Sequence, residues 1–197
     1  LPNVPVHDLV IQPREHDLII GTHGRSLYKT NLSDIEKLNS ENLNKDLVFY
    51  EPESVTYNKY WGMKRDEFDE PNIPKLYFTL YSKNSGQYNI TISYDDKTVN
   101  QFSGSFSSGI NYIEFDLAID TVIGKSYFDF ITDKYKNDKK IKIKLENSQK
   151  YFLPPGKYKV ELEAKGTKET KEFEIKESKR NNGNPSPNSK GYSKEKD

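Results

Sequence analysis

Apolar residues near the start of the chain fall into short runs. Val6 to Ile11 and Leu18 to Ile20 are separated by Gln12-Pro13-Arg14-Glu15-His16-Asp17, and a third run covers Ser26 to Thr30. Runs of this length bounded by turn residues predict three adjacent strands. Three strands with nothing before them leave one apolar face without packing. From Lys75 onward a two-residue period dominates. Leu76, Phe78 and Leu80 alternate with Tyr77, Thr79 and Tyr81, and Tyr88, Ile90, Ile92 and Tyr94 alternate with polar neighbours. The pattern recurs at Ile113, Phe115, Leu117 and Ile119, at Ile141, Ile143 and Leu145, at Tyr158, Val160, Leu162 and Ala164, and at Phe173 and Ile175. Alternate side chains of a strand point to opposite faces, so each run offers one buried and one wet face. Turn signals separate the runs at Asn84-Ser85-Gly86, Asp95-Asp96-Lys97, Ser107-Ser108-Gly109, Pro154-Pro155-Gly156 and Lys165-Gly166-Thr167. Six or seven short strands with such turns predict an antiparallel, immunoglobulin-like β-sandwich.

Other stretches break the period. Ser33-Asp34-Ile35-Glu36 predicts the start of a short helix, with Ile35, Leu38 and Leu43 facing inward. Leu47 to Tyr50 is a short strand. Residues 51–74 carry Pro52, Gly62, Pro71 and Pro74 and read as an irregular connector, with Trp61 as the anchor that pins it down. Thr121 to Asp138 fits either a helical turn or an edge strand through Tyr127, Phe128, Phe130 and Ile131. Glu177 to Asp197 is almost free of apolar residues and is expected to be disordered. The division is therefore 1–50, 51–74, 75–176 and 177–197.

Composition narrows the function classes. The chain has 197 residues, 33% hydrophobic and 30% charged, which suits a sandwich of roughly a hundred residues with solvated flanks. Thirty basic and thirty acidic side chains cancel, so no global field favours nucleic acid, an anionic membrane or an acidic substrate. No cysteine is present, which removes disulfides and thiolate metal sites. No apolar run approaches the roughly eighteen residues that predict a membrane-spanning helix.

The leading segment, Leu1-Pro2-Asn3-Val4-Pro5-Val6-His7-Asp8-Leu9-Val10-Ile11 followed by Asp17-Leu18-Ile19-Ile20-Gly21-Thr22-His23-Gly24-Arg25-Ser26-Leu27-Tyr28, resembles the last blade of large bacterial β-propellers. These are sortilin-like, neuraminidase-repeat proteins often labelled glycosyl hydrolases. A weaker resemblance over Lys75 to Ile175 matches the small immunoglobulin-like domain that follows the propeller in that family. Ser103 to Asn111 and Pro155-Gly156-Lys157-Tyr158-Lys159-Val160-Glu161-Leu162 resemble recurrent hairpins of bacterial β-domains. The family's repeated Ser-x-Asp-x-Gly-x-x-Trp box is absent. The resemblance implies an all-β chain made of a partial blade, a connector, the sandwich and a tail. It also implies a secreted or cell-envelope bacterial parent whose missing N-terminal blades are the partner of this piece. The lack of an initiator methionine at Leu1 fits a C-terminal piece of a larger protein.

Candidate chemistry is sparse. His7, His16 and His23 are the only histidines, and no ligand spacing joins them into a metal site. His23 and Arg25 sit in a blade turn; the guanidinium suits either an anionic ligand or a tie between blades. The acid pairs Asp66-Glu67, Asp69-Glu70 and Asp95-Asp96 are adjacent in loops. Glycosidase chemistry needs two carboxyls about five to ten Å apart across a bond, which adjacency does not supply. No nucleophile triad, phosphate loop or zinc-protease motif occurs, and no cofactor is implied. With 14 tyrosines and 10 phenylalanines, an exposed row of Tyr77, Tyr81 and Tyr112 is the candidate surface for stacking on sugar rings. The expected role is thus a non-catalytic accessory module of a larger propeller protein. The alternatives are a carbohydrate-binding module and a fragment that keeps part of a propeller active site through His23 and Arg25.

Overall fold

The computed structural model describes residues 3–24 and 26–178; Arg25 and the segment 179–197, most of the expected disordered tail, lie outside the described residues. The protein is all-β. Strands β1 (Val6–Gln12), β2 (Asp17–Thr22) and β3 (Leu27–Asn31) form an antiparallel sheet in that order. Its sequence pattern predicted one open apolar face; the register places apolar side chains on both. Leu9 pairs with Ile20 and Ile11 with Leu18 on one face, while Val10 pairs with Ile19 and Gly21 with Leu27 on the other. Leu9 is 58% exposed, Ile11 56%, Val10 52% and Leu27 75%. Unbroken apolar runs such as these belong to strands covered from both sides.

Two short helices follow, α1 (Ser33–Glu36) and α2 (Ser40–Asn44). Helix α1 begins where the sequence suggests, but Leu32 occupies the cap position and the Asn31 side chain accepts from the Ser33 N–H. Ile35 and Leu43 do not face inward: they are 56% and 43% exposed. Helices of four and five residues make barely one turn each, too little to lay a stripe on a core.

The remaining strands make a two-layer sandwich. One sheet holds β4 (Leu47–Phe49), β6 (Leu76–Ser82) and β9 (Gly109–Phe115). The other has the order β5 (Val55–Thr56), β11 (Thr167–Lys176), β10 (Gly156–Ala164), β7 (Gly86–Tyr94) and β8 (Lys97–Phe106). Thus β4, grouped by sequence with the blade remnant, pairs with β6, and β5, inside the connector, runs parallel to β11. The pairing of β6 with β9, and of β11, β10, β7 and β8 in a row, is the immunoglobulin-like arrangement of strands B and E against G, F, C and C′.

Alternation fills the interior. Phe78 and Leu80 from one sheet meet Ile90, Ile92, Val160 and Leu162 from the other, all without exposed surface. Phe78 stacks on Phe115, and Phe173 stacks on Tyr158, giving the layer an aromatic centre. Two tight hairpins hold the register. Asp95 and Asp96 have φ of 46° and 60°, and Lys165 and Gly166 have φ of 53° and 76°, the left-handed pairs that suit right-twisted strands.

The long crossing 116–155 departs from its pattern. Helix α3 (Lys125–Lys134) resolves the Thr121 to Asp138 ambiguity in favour of a helix, burying Tyr127 and Ile131. The run through Leu117 and Ile119 does not extend β9, because Leu117 has φ of 57° and the chain turns there. It bonds instead with 151–153, through Ile119 N–H to Tyr151 and Leu153 N–H to Leu117. The strand expected over Ile141, Ile143 and Leu145 is absent. The segment makes no ladder with any edge strand; the Lys142 N–H donates to the Tyr57 hydroxyl, Ile141 is buried and Leu145 is half exposed. Trp61 is buried beside Tyr57 and Phe152, as the anchor reading predicts.

Candidate functional site

The outer face of the β4-β6-β9 sheet is where the structure assembles exposed aromatic and charged groups. In the register Tyr77 faces Glu114 and Thr79 faces Tyr112, so Tyr77 and Tyr112 are diagonal neighbours on one face. Tyr77 is 45% exposed and Tyr112 56%. The Tyr77 hydroxyl donates to Glu114 Oε2 at 3.0 Å, and Lys75 Nζ meets the same oxygen at 3.0 Å. The Lys75 ammonium first, and then the Tyr77 hydroxyl, hold the Glu114 carboxyl below its ordinary range. Partial burial pushes the Tyr112 phenol upward, and the adjacent Asp34 carboxylate adds to the effect.

This face forms the floor of an open cleft of about 1060 Å³. Its far wall comes from the β1–β2 turn with Arg14 and His16, from Asp34 of α1 and Lys37 just after it, and from Glu51 and Glu53 of the connector. The wall is tied together locally. The Leu32 N–H donates to the His16 carbonyl at 2.7 Å, the Asn31 side-chain amide donates to the Glu15 carbonyl at 2.8 Å, and His16 Nδ1 lies 2.5 Å from Glu36 Oε2. Both signs of charge alternate around a two-tyrosine floor. Such a surface suits an amphipathic, polyhydroxylated ligand better than a strongly ionic one.

The sequence candidates separate. Tyr77 and Tyr112 share the cleft, whereas Tyr81 lies farther along the face opposite Val48, half-buried and outside the cleft lining. It neighbours Tyr50, whose phenol is pushed up by burial first and by Asp34 and Tyr81 after it. His23 stacks on His7 with ring centroids 5.0 Å apart, and its backbone N–H donates to the Pro5 carbonyl. His16 sits at the opposite end of β1 and β2, so the three histidines do not converge. Among the described residues no group of three or more His, Asp or Glu is arranged to hold a metal ion. Arg25 lies outside the described residues, so a joint His23–Arg25 site has no geometry on which to stand. Asp95 and Asp96 form a hairpin turn, and Asp66, Glu67 and Glu70 are exposed in a loop.

Sequence reading missed Lys75, Glu114 and Asp34. Period-two alternation puts Glu114 on a wet face, but only the β6–β9 register sets it against Tyr77. No family model matches the chain, and no curated protein is significantly similar to it.

Proposed function

We propose that this chain is a non-catalytic accessory module of a larger, secreted or envelope-associated bacterial β-propeller protein of the sortilin-like type. Sheet β1-β2-β3 is its last blade, and the sandwich packs beside the propeller or spaces it from a surface. One observation carries the reading: the three-stranded sheet exposes apolar side chains on both faces, at Leu9 and Ile11 on one and at Val10 and Leu27 on the other. A propeller blade is a small sheet lying between neighbouring blades, so both of its faces are covered in the assembled protein. Burying one such side chain is worth about 1.5–3 kcal/mol. Four left in water is a substantial cost for a small domain.

Hydrogen exchange tests this. The amides of Leu9 to Ile11 are expected to exchange slowly in the intact parent protein and quickly in this chain alone. Equal rates in both, or a parent sequence without further blade repeats, overturn the reading.

A second reading is favoured by the Tyr77–Tyr112 floor: the sandwich holds a neutral carbohydrate by stacking. Titrating the chain with neutral hexasaccharides (of cellulose, xylan, mannan and chitin) is expected to show binding that Tyr112→Ala abolishes and Tyr112→Phe retains. No binding by any of the four ends that reading without affecting the first.

A further inference from the structure

Zero net charge conceals a strongly polar distribution. Lys134, Lys136, Lys139, Lys140, Lys142 and Lys144 fall within eleven residues that contain a single acid, Asp138. All six lysines are exposed. Asp138 offsets only one of them, leaving an excess of five positive charges, and its Oδ1 accepts the backbone N–H groups of Lys140 and Ile141 at 2.6 and 3.1 Å. Those two bonds, first Lys140 and then Ile141, also lower its pKa, so it stays ionised while turned toward the backbone. Lys144 pairs with Glu146 at 2.7 Å. Among the described residues no carboxylate oxygen lies within 4.0 Å of the ammonium groups of the other five.

The lysines are presented on a held segment. Buried Ile141 and the bond from the Lys142 N–H to the Tyr57 hydroxyl fasten its middle to the sandwich. Apolar surface lies alongside: Phe130, 40% exposed, has the ammonium groups of Lys97 and Lys134 each 5.6 Å from its ring centre, and Leu145 is 51% exposed.

We infer that the segment 134–145, with Phe130, docks the sandwich onto an anionic lipid surface. The patch is made of lysines without arginine, hence of flexible point charges and not of planar forks that grip one phosphate. Point charges suit a diffuse field such as that of an anionic leaflet, where each contributes independently. The adjoining Phe130 and Leu145 gain from the headgroup–acyl boundary and from nothing on a soluble polyanion. This surface lies apart from the tyrosine cleft and does not depend on the propeller reading.

The test is cosedimentation of the full chain with unilamellar vesicles. One set holds one-third phosphatidylglycerol in phosphatidylcholine, and the other is pure phosphatidylcholine. Binding is expected only to the first set, with release at about 0.5 M salt, where the screening length falls to about 4 Å. Neutralising one lysine is expected to weaken binding about fivefold, and Lys136→Ser, Lys139→Ser, Lys140→Ser and Lys142→Ser together by several hundredfold on the order of magnitude of independent contributions. Leu145→Ser is expected to weaken binding to the same vesicles at unchanged charge. Equal binding to both vesicle types, retention by the fourfold variant with an unchanged melting curve, or equally tight binding of soluble polyphosphate overturns the inference.

Discussion

The Tyr158 hydroxyl donates to the carbonyl oxygen of Pro154, 2.7 Å away, closing the corner at which the long crossing enters β10. Tyr158 is 1% exposed, and its oxygen also lies 2.7 Å from the hydroxyl of Tyr127 on α3. A tyrosine early in strand F bonded a few residues upstream is the tyrosine corner of immunoglobulin-like sandwiches. Here it also fastens the helix that replaces a simple turn between β9 and β10.

Tyr158→Phe keeps the ring against Phe173 and removes the bond. It strands a buried carbonyl and leaves the Tyr127 hydroxyl short of a partner. Unfolding in urea is expected to show a loss of about 1–3 kcal/mol, the cost of leaving a buried polar group unsatisfied. An unchanged midpoint would mean that the corner is reached by water.

The same pair sets an alkaline limit. Burial pushes both the Tyr127 and Tyr158 phenols far above their ordinary values. Above about pH 10 the unfolded chain releases these protons while the folded chain retains them, so folding stability falls as pH rises. Below the unfolded value both states are protonated and the contribution is constant. The expected slope beyond that point is about 1.4 kcal/mol per pH unit for each phenol kept protonated. Thermal melts between neutral and strongly alkaline pH read it directly, and Tyr158→Phe is expected to flatten the decline.

Gly124 stands where α3 meets β8. A Cβ there would lie 2.4 Å from the Val99 carbonyl oxygen and 2.7 Å from that of Asp120, both backbone atoms. Since backbone cannot swing aside, Gly124→Ala is expected to cost about 1–3 kcal/mol by overpacking. Denaturant unfolding against the unchanged chain measures it.

Trp61 is the only tryptophan and is 8% exposed, packed edge-on against Tyr57 and Phe152. Its emission is expected to be blue-shifted in the folded chain and to move red in a single step on unfolding. Trp61→Ala is expected to cost about 3–5 kcal/mol, as large-to-small core changes do. A red-shifted native spectrum would place the connector away from the sandwich.

Much of the sandwich was legible in the chain because strand geometry has a period of two. Leu76, Phe78 and Leu80 declare a buried face whatever they pair with, and Asp95-Asp96 and Lys165-Gly166 mark turns by local conformational preference alone. The same rule failed at Ile141, Ile143 and Leu145. Alternation states that a segment has two faces, but not that the chain brings it alongside a strand edge. Ile35 and Leu43 failed for a related reason, since inward orientation depends on a core lying within reach of the helix.

By itself the sequence determined the all-β class, the hairpin positions, the helix start at Ser33 and the burial of Trp61, each a consequence of local pattern or of one large apolar ring. Tertiary structure decided what depends on register and on neighbours distant in the chain. It paired β4 and β5 with the sandwich and set Tyr77 beside Tyr112 and Glu114 while leaving Tyr81 aside. It also fastened segment 134–145 to the sandwich through Ile141 and Tyr57, leaving exposed a run of lysines that a net charge of zero had averaged away.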